Sequence, residues 1–247
     1  MMRYADPQER ESELLDLIVD SYIKESRPIS STYLCGKYKL PYSSATVRNV
    51  MESLEKQGFL CHLHTSSGRI PTKAGFKHYV ASISEAKISG DIVAVDLSLY
   101  SVSFVDSEDI VNYTLDTLSA ASGYTSLMTF SGKDSRWVFR GTRFMLEQPE
   151  FEDMARLRNF FYALEVKTDE LQELMENQFD EDITILIGDD IGCEEIADCS
   201  LVVSGLRNKE LSFALGVLGP MRMDYVRASS SVLSIRNQLR SLFEELV

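Results

Sequence analysis

The chain has 247 residues, 44% hydrophobic and 26% charged, with a formal net charge of −13. That supplies apolar residues for one large or two ordinary globular domains and excludes a disordered or fibrous chain. No apolar run approaches the roughly 18 to 20 residues that span a bilayer, Met1 to Arg10 is too polar for a secretory signal, and Cys35, Cys61, Cys193 and Cys199 form no CxxC pair. The expectation is a cytoplasmic, non-membrane protein with no disulfide framework, zinc ribbon or other cofactor.

Asp6-Pro7-Gln8-Glu9 opens a first helix, with an Asp cap, Pro at the first helical position and Glu three residues after the cap. Leu14, Leu15, Ile18, Val19, Tyr22 and Ile23 recur at helical spacing and mark its core face. Ser30 or Ser31 caps a short second helix through about Tyr38, Lys39-Leu40-Pro41-Tyr42 makes a turn, and Ser43 caps a third helix over Ser44 to Gln57, stopped by Gly58. Two short helices joined by a tight turn are the helix-turn-helix pattern. On the third helix Val47, Val50, Met51 and Leu54 share one arc, leaving Ala45, Arg48, Asn49, Glu52 and Lys56 on the other.

Phe59 to His64 alternates like a strand, Thr65-Ser66-Ser67-Gly68 turns, and Arg69-Ile70-Pro71 returns, which is the pattern of a wing. Thr72 then caps a helix carrying Phe76, Tyr79, Val80 and Ile83 on its packing face. Charge follows the same division. Residues 1–26 carry −4, residues 27–84 carry +6 together with all three histidines, and residues 85–247 carry −15. A basic head on an acidic body suits a polyanion partner, here double-stranded DNA.

Arg48 alone on a helix is more often a solvated side chain than a base reader. Cap, turn, free arc and hairpin occur in order in the one basic stretch, and that context assigns it to the groove. The candidate DNA-binding residues are therefore Ser43, Ser44, Ala45, Arg48, Asn49 and Lys56 on the third helix. Thr65, Ser66, Ser67 and Arg69 join them from the hairpin, with Arg69 aimed at a phosphate or the minor groove. A Cys61-His62-x-His64 metal site is set aside because neighbouring side chains of a strand point to opposite faces.

Residues 91–105 alternate like strands, Asn112 to Ser122 is helical, and Leu127 to Phe139 is strand-like around Gly132. Phe151, Met154, Leu157, Phe160, Phe161 and Leu164 form an amphipathic helix capped near Gln148-Pro149, continuing or restarting through Leu171, Leu174 and Met175. Ile183 to Gly188 is a strand. Cys199 to Leu206 and Leu211 to Leu218 make a hairpin around Arg207-Asn208-Lys209-Glu210. A last helix carries Val232, Ile235, Leu239, Leu242 and Leu246 at a spacing that suits a core seam or a helix-helix dimer contact; under three heptads favours the core. Gly219 to Tyr225 is read as structural, with Arg222 and Asp224 satisfying backbone groups or each other.

Ser43 to Glu55, Gly58-Phe59-Leu60 and His64 to Thr72, with Gln148-Pro149-Glu150-Phe151, Ile187-Gly188 and Gly216 to Tyr225, resemble the heat-inducible transcription repressor family HrcA. The resemblance implies an α+β chain: a winged helix-turn-helix domain over 1–85, then a GAF-like antiparallel-sheet domain with flanking helices over 86–247. It also implies a homodimeric repressor of chaperone genes on an inverted-repeat operator, assisted by a chaperonin. Three departures stand out. Val50 replaces a usually acidic residue, Ser30-Ser31-Thr32 replaces Gly-Ser-Arg, and a long dimerisation insertion between the segments resembling Tyr113 to Tyr124 and Trp137 to Pro149 is missing. No GxSxG, phosphate loop or HExxH supports an enzyme. The rival reading is a degenerate member acting as a ligand or partner sensor without operator binding.

Overall fold

A computed structural model describes residues 6–62, 68–84, 88, 107–131, 136–180, 182–207 and 212–245. The expected strands over 91–105, the hairpin tip Thr65 to Ser67, Gly132 and Leu246 lie outside them. The chain divides into two compact units, Met1–Ser84 and Glu85–Val247.

The first unit holds α1 (Pro7–Glu25), α2 (Ser31–Tyr38), α3 (Ser44–Lys56), β1 (Leu60–Cys61), β2 (Ile70–Pro71) and α4 (Lys73–Ser82). Its helices begin where short polar side chains satisfy otherwise orphaned amides. Asp6 accepts from the Gln8 amide, Ser30 from Tyr33, Ser43 from Thr46 and Thr72 from Gly75. Between Ser30 and Ser31, then, Ser30 is the cap. Leu14, Leu15, Ile18 and Val19 of α1 pack with Leu34, Val47, Val50, Met51, Leu54, Leu60 and Phe76 in one core. On α4 only Phe76 of the expected packing face is fully buried; Tyr79, Val80 and Ile83 are half-buried.

The hairpin pairs Leu60 with Pro71 and Cys61 with Ile70, a shorter ladder than the sequence pattern suggests. Ile29 extends it by exchanging both backbone hydrogen bonds with Arg69, each 2.8 Å. Gly68 is required beside that bridge, because a Cβ there would stand 2.3 Å from the Ile29 carbonyl oxygen. Gly58, at φ +83°, turns the chain out of α3 in the left-handed region that other residues avoid.

The second unit contains α5 (Ser107–Ser122), β3 (Thr125–Ser131), β4 (Arg136–Arg140), α6 (Arg143–Leu146), α7 (Met154–Val166), α8 (Thr168–Glu176), β5 (Thr184–Ile187), β6 (Cys199–Arg207), β7 (Ser212–Pro220) and α9 (Tyr225–Glu245). Among the described residues five antiparallel strands form one sheet in the order β4-β3-β7-β6-β5. Alternation divides its faces. Leu127, Leu201, Val203, Ala214 and Leu218 join Phe160, Leu164, Leu171 and Met175 of α7 and α8 in one cluster. On the opposite face α5 and α9 pack on each other and on the sheet, where Ser126 donates to the Leu115 carbonyl at 2.7 Å and Ser200 bonds Tyr225 at 2.9 Å.

Three sequence expectations are corrected. α5 begins at Ser107 rather than Asn112. The helix expected to be capped near Gln148-Pro149 is preceded there by a 3₁₀ turn, Pro149–Glu152, and its own cap is Asp153, which accepts from the Ala155 amide at 2.8 Å. Met154 therefore opens α7 on its outer side, 72% exposed, instead of joining the core. β3 lies in the interval where the resemblance places a long insertion, and it pairs with β4 at the start of the next segment, from Ser126 with Arg140 to Phe130 with Arg136.

Candidate nucleic-acid interface

The local chemistry of Ser43 builds the leading edge of α3. Its hydroxyl takes the Thr46 amide at 3.1 Å, ending the turn that begins at Lys39, held at φ +48°. The apolar arc Val47, Val50, Met51 and Leu54 is 0 to 5% exposed, so the helix has one permitted orientation. Ser43, Ser44, Ala45, Arg48, Asn49, Glu52 and Lys56 are consequently all exposed on its other side. Val50, at the position where the resemblance would have an acidic residue, lies in the buried arc and not on the outer one.

Partners sort six of the eight basic residues in 27–84 into two groups. Glu25, at the end of α1, ties down Arg27 at 3.3 Å and Lys37 at 3.3 Å. Its carboxyl is held below the usual range, first by the Tyr33 hydroxyl and then by Lys37. Arg69 is bound by Glu55. Among the described residues no ion pair engages Arg48, Lys39 or Lys56, which leaves their charge available to a polyanion.

Arg69 departs from its expected position. Its Nε donates to Glu55 at 2.8 Å and its side chain is 19% exposed. The other Glu55 oxygen meets Nδ1 of His62 at the hairpin base. Burial alone would raise the Glu55 carboxyl, but the hydrogen bond from His62 and the charge of Arg69 outweigh it and lower its pKa. One carboxylate on α3 thus locks both legs of the hairpin, and its charge together with burial raises the Cys61 thiol. Sequence reading missed Glu55. Nothing local marks it, because its partners lie 7 and 14 residues away.

In the second unit, within the Gly219 to Tyr225 segment, Asp224 satisfies a backbone group, one of the two expected roles, whereas Arg222 meets side chains of another element. Arg222 meets Glu150 at 2.5 and 3.1 Å and Gln148 at 2.9 Å, while Asp224 accepts the Arg227 amide at the start of α9. The two do not satisfy each other. An open cavity of about 560 Å³ beside α9 is lined by Asp182, Ile183, Leu233, Arg236 and Arg240. Arg236 is committed to Asp182 at 2.9 Å and to the Gly205 carbonyl at 3.0 Å. No group of metal-ligating side chains occurs among the described residues, and none of their helices is long and apolar enough to cross a membrane.

Residues 96–228 match the HrcA protein C terminal domain. The "Heat-inducible transcription repressor HrcA" of Bacillus pumilus is 25% identical over 338 aligned residues, covering 94% of this chain and 98% of that protein. The protein of the same name from Symbiobacterium thermophilum is 27% identical over 338, covering 96% and 98%. Since this chain has 247 residues, both relatives contain stretches with no counterpart in it. A solved structure described as a hypothetical protein at 2.2 Å resolution is 18% identical, covers 96% of this chain and 99% of that one, and superposes with a TM-score of 0.77, a likeness of fold.

Proposed function

The chain belongs to the HrcA family, and from that premise we propose that α1 to α4 with the β1-β2 hairpin form a winged helix-turn-helix that grips an inverted-repeat operator in duplex DNA. It is a transcription repressor of heat-shock genes and not an enzyme. One observation carries the DNA reading: the outer arc of α3 is exposed along its length, with Arg48 and Lys56 in no ion pair among the described residues, on a helix whose opposite arc is sealed in the core.

Each residue has a role suited to its place. Arg48 reads guanine bidentately and Asn49 reads adenine, while Ala45 leaves room for a thymine methyl. Ser43, Ser44 and the first amides of α3 receive a phosphate at the positive end of the helix, and Lys56 meets the backbone farther along. Thr65, Ser66 and Ser67 supply tip donors to the backbone. Arg69 acts through Glu55, as the residue that sets the wing against α3. The sheet and helices of the second unit support a GAF-like regulatory domain, and two-fold operators call for a homodimer.

Duplex selection from a random pool, followed by binding at several salt concentrations, tests this. The expected result is an enriched inverted repeat, bound with an affinity that falls steeply as salt rises. Absence of enrichment would leave the family's fold in a protein that senses a ligand or partner instead, and the operator reading would fail.

A further inference from the structure

The exposed arc of α3 carries a carboxylate at its centre. Taking about 100° per residue from Arg48, the buried Val47, Val50, Met51 and Leu54 centre at about −110°, so the outward pole lies at about +70°. Glu52 falls at about 40° and Lys56 at about 80°, both nearer that pole than Arg48 itself. Arg48 and Lys56 stand four residues to either side of Glu52, the spacing at which opposite charges pair on a helix. Glu52 is nevertheless exposed and makes no hydrogen bond or ion pair among the described residues.

On a surface that meets a polyanion such a group is costly unless it finds a donor, because phosphates repel it. The major groove offers a suitable one. Cytosine shows only its N4 amino group there, a donor with no acceptor beside it. Adenine sets N7 beside its amino group, guanine shows two acceptors, and thymine shows an acceptor and a methyl group. A carboxylate therefore gains a charge-assisted hydrogen bond at cytosine and meets a lone pair or a methyl group at each other base. We propose that Glu52 is a specificity-determining residue that accepts a hydrogen bond from a cytosine N4 amino group of the operator. Its base lies away from the one Arg48 reads, because four residues advance the helix by about 6 Å, close to two base-pair steps. On other sequences its charge offsets one of the two cations of the arc, which weakens binding wherever the cytosine is missing. The assignment rests on the operator reading above and deepens it by one base.

Fluorescence anisotropy of the full-length wild type, Glu52→Ala and Glu52→Gln tests it, on the duplex the wild type selects, on its single-base-pair variants and on a random duplex. The wild type binds duplexes altered at one C·G pair about 5- to 150-fold more weakly than the selected one. Glu52→Ala binds every base pair at that position alike, and it binds the random duplex more tightly than the wild type does, a gain that shrinks as salt rises. Glu52→Gln, which loses the charge and keeps an acceptor, shows the same gain on the random duplex with part of the cytosine preference retained. Urea midpoints of both variants match the wild type, as an exposed site without a partner requires. A Glu52→Ala chain that keeps every base preference, loses all of them together, or relaxes at a pair other than C·G or at the position that Arg48→Ala relaxes overturns the assignment and leaves the operator reading standing. A wild-type chain that selects no duplex overturns both.

Discussion

Arg48→Ala and Arg69→Ala remove the same charge from the same unit and are expected to fail in different ways. Arg48 is exposed and free of any ion pair among the described residues, so its truncation changes folding stability by no more than about 0.5 kcal/mol. If its guanidinium reads a base edge, about 1–3 kcal/mol of discrimination is lost, which weakens the preferred duplex by about 5- to 150-fold and relaxes one base position. Arg69 is four-fifths covered and its charged hydrogen bond to Glu55 is worth about 1.5–3 kcal/mol. Its loss lowers the stability of the first unit by that order and weakens all duplexes to similar degrees, as the hairpin loses its tie to α3. Fluorescence anisotropy on matched and single-mismatch duplexes, with urea denaturation of each variant, separates the two outcomes. An Arg48→Ala protein as destabilised as Arg69→Ala, or one that loses affinity equally for every duplex, refutes the assignment of α3's outer arc to base recognition.

Glu55→Gln should cost stability at neutral pH, and the deficit should shrink in acid. The Glu55 carboxyl is depressed in the folded chain, so its contribution is complete above the ordinary value of 4.5 and is lost as pH falls through the lowered one; denaturation midpoints of both proteins across that window check it. Gly68→Ala would drive a methyl group against the Ile29 carbonyl at 2.3 Å, and a loss of about 1–3 kcal/mol with a hairpin detached from Ile29 is expected from urea melts and hydrogen exchange at Ile29 and Arg69. Burial lifts the Cys193 thiol to about 11 and raises buried Cys199 further, so a thiol reagent at mild pH should label half-buried Cys35 and Cys61 first and reach the other two on unfolding. Mass spectrometry of labelled peptides reads this directly, and equal rates at all four sites would contradict the packed core around β6.

Much of this molecule was legible in its residues because the signals are short-ranged. Asp6, Ser43 and Thr72 cap helices by reaching amides two or three residues away, and the two arcs of α3 follow from 3.6 residues per turn. The β6-β7 pair and the buried Val232, Ile235 and Leu239 of α9 likewise announce themselves by period. Partner choice across tens of residues has no such code. Whether Arg69 faces solvent or Glu55, whether Arg222 meets Asp224 or Glu150, and why Gly68 admits no Cβ depend on which backbones the folded core brings together. Asp153 took the cap of α7 from Gln148 for a related reason, since the Pro149–Glu152 turn buries Phe151 first. Local hydrogen bonding and side-chain periodicity sufficed to draw the elements and the exposed arc of α3. Long-range packing alone decided which charges remain free to meet another molecule, because pairing a side chain requires its neighbours to be in place.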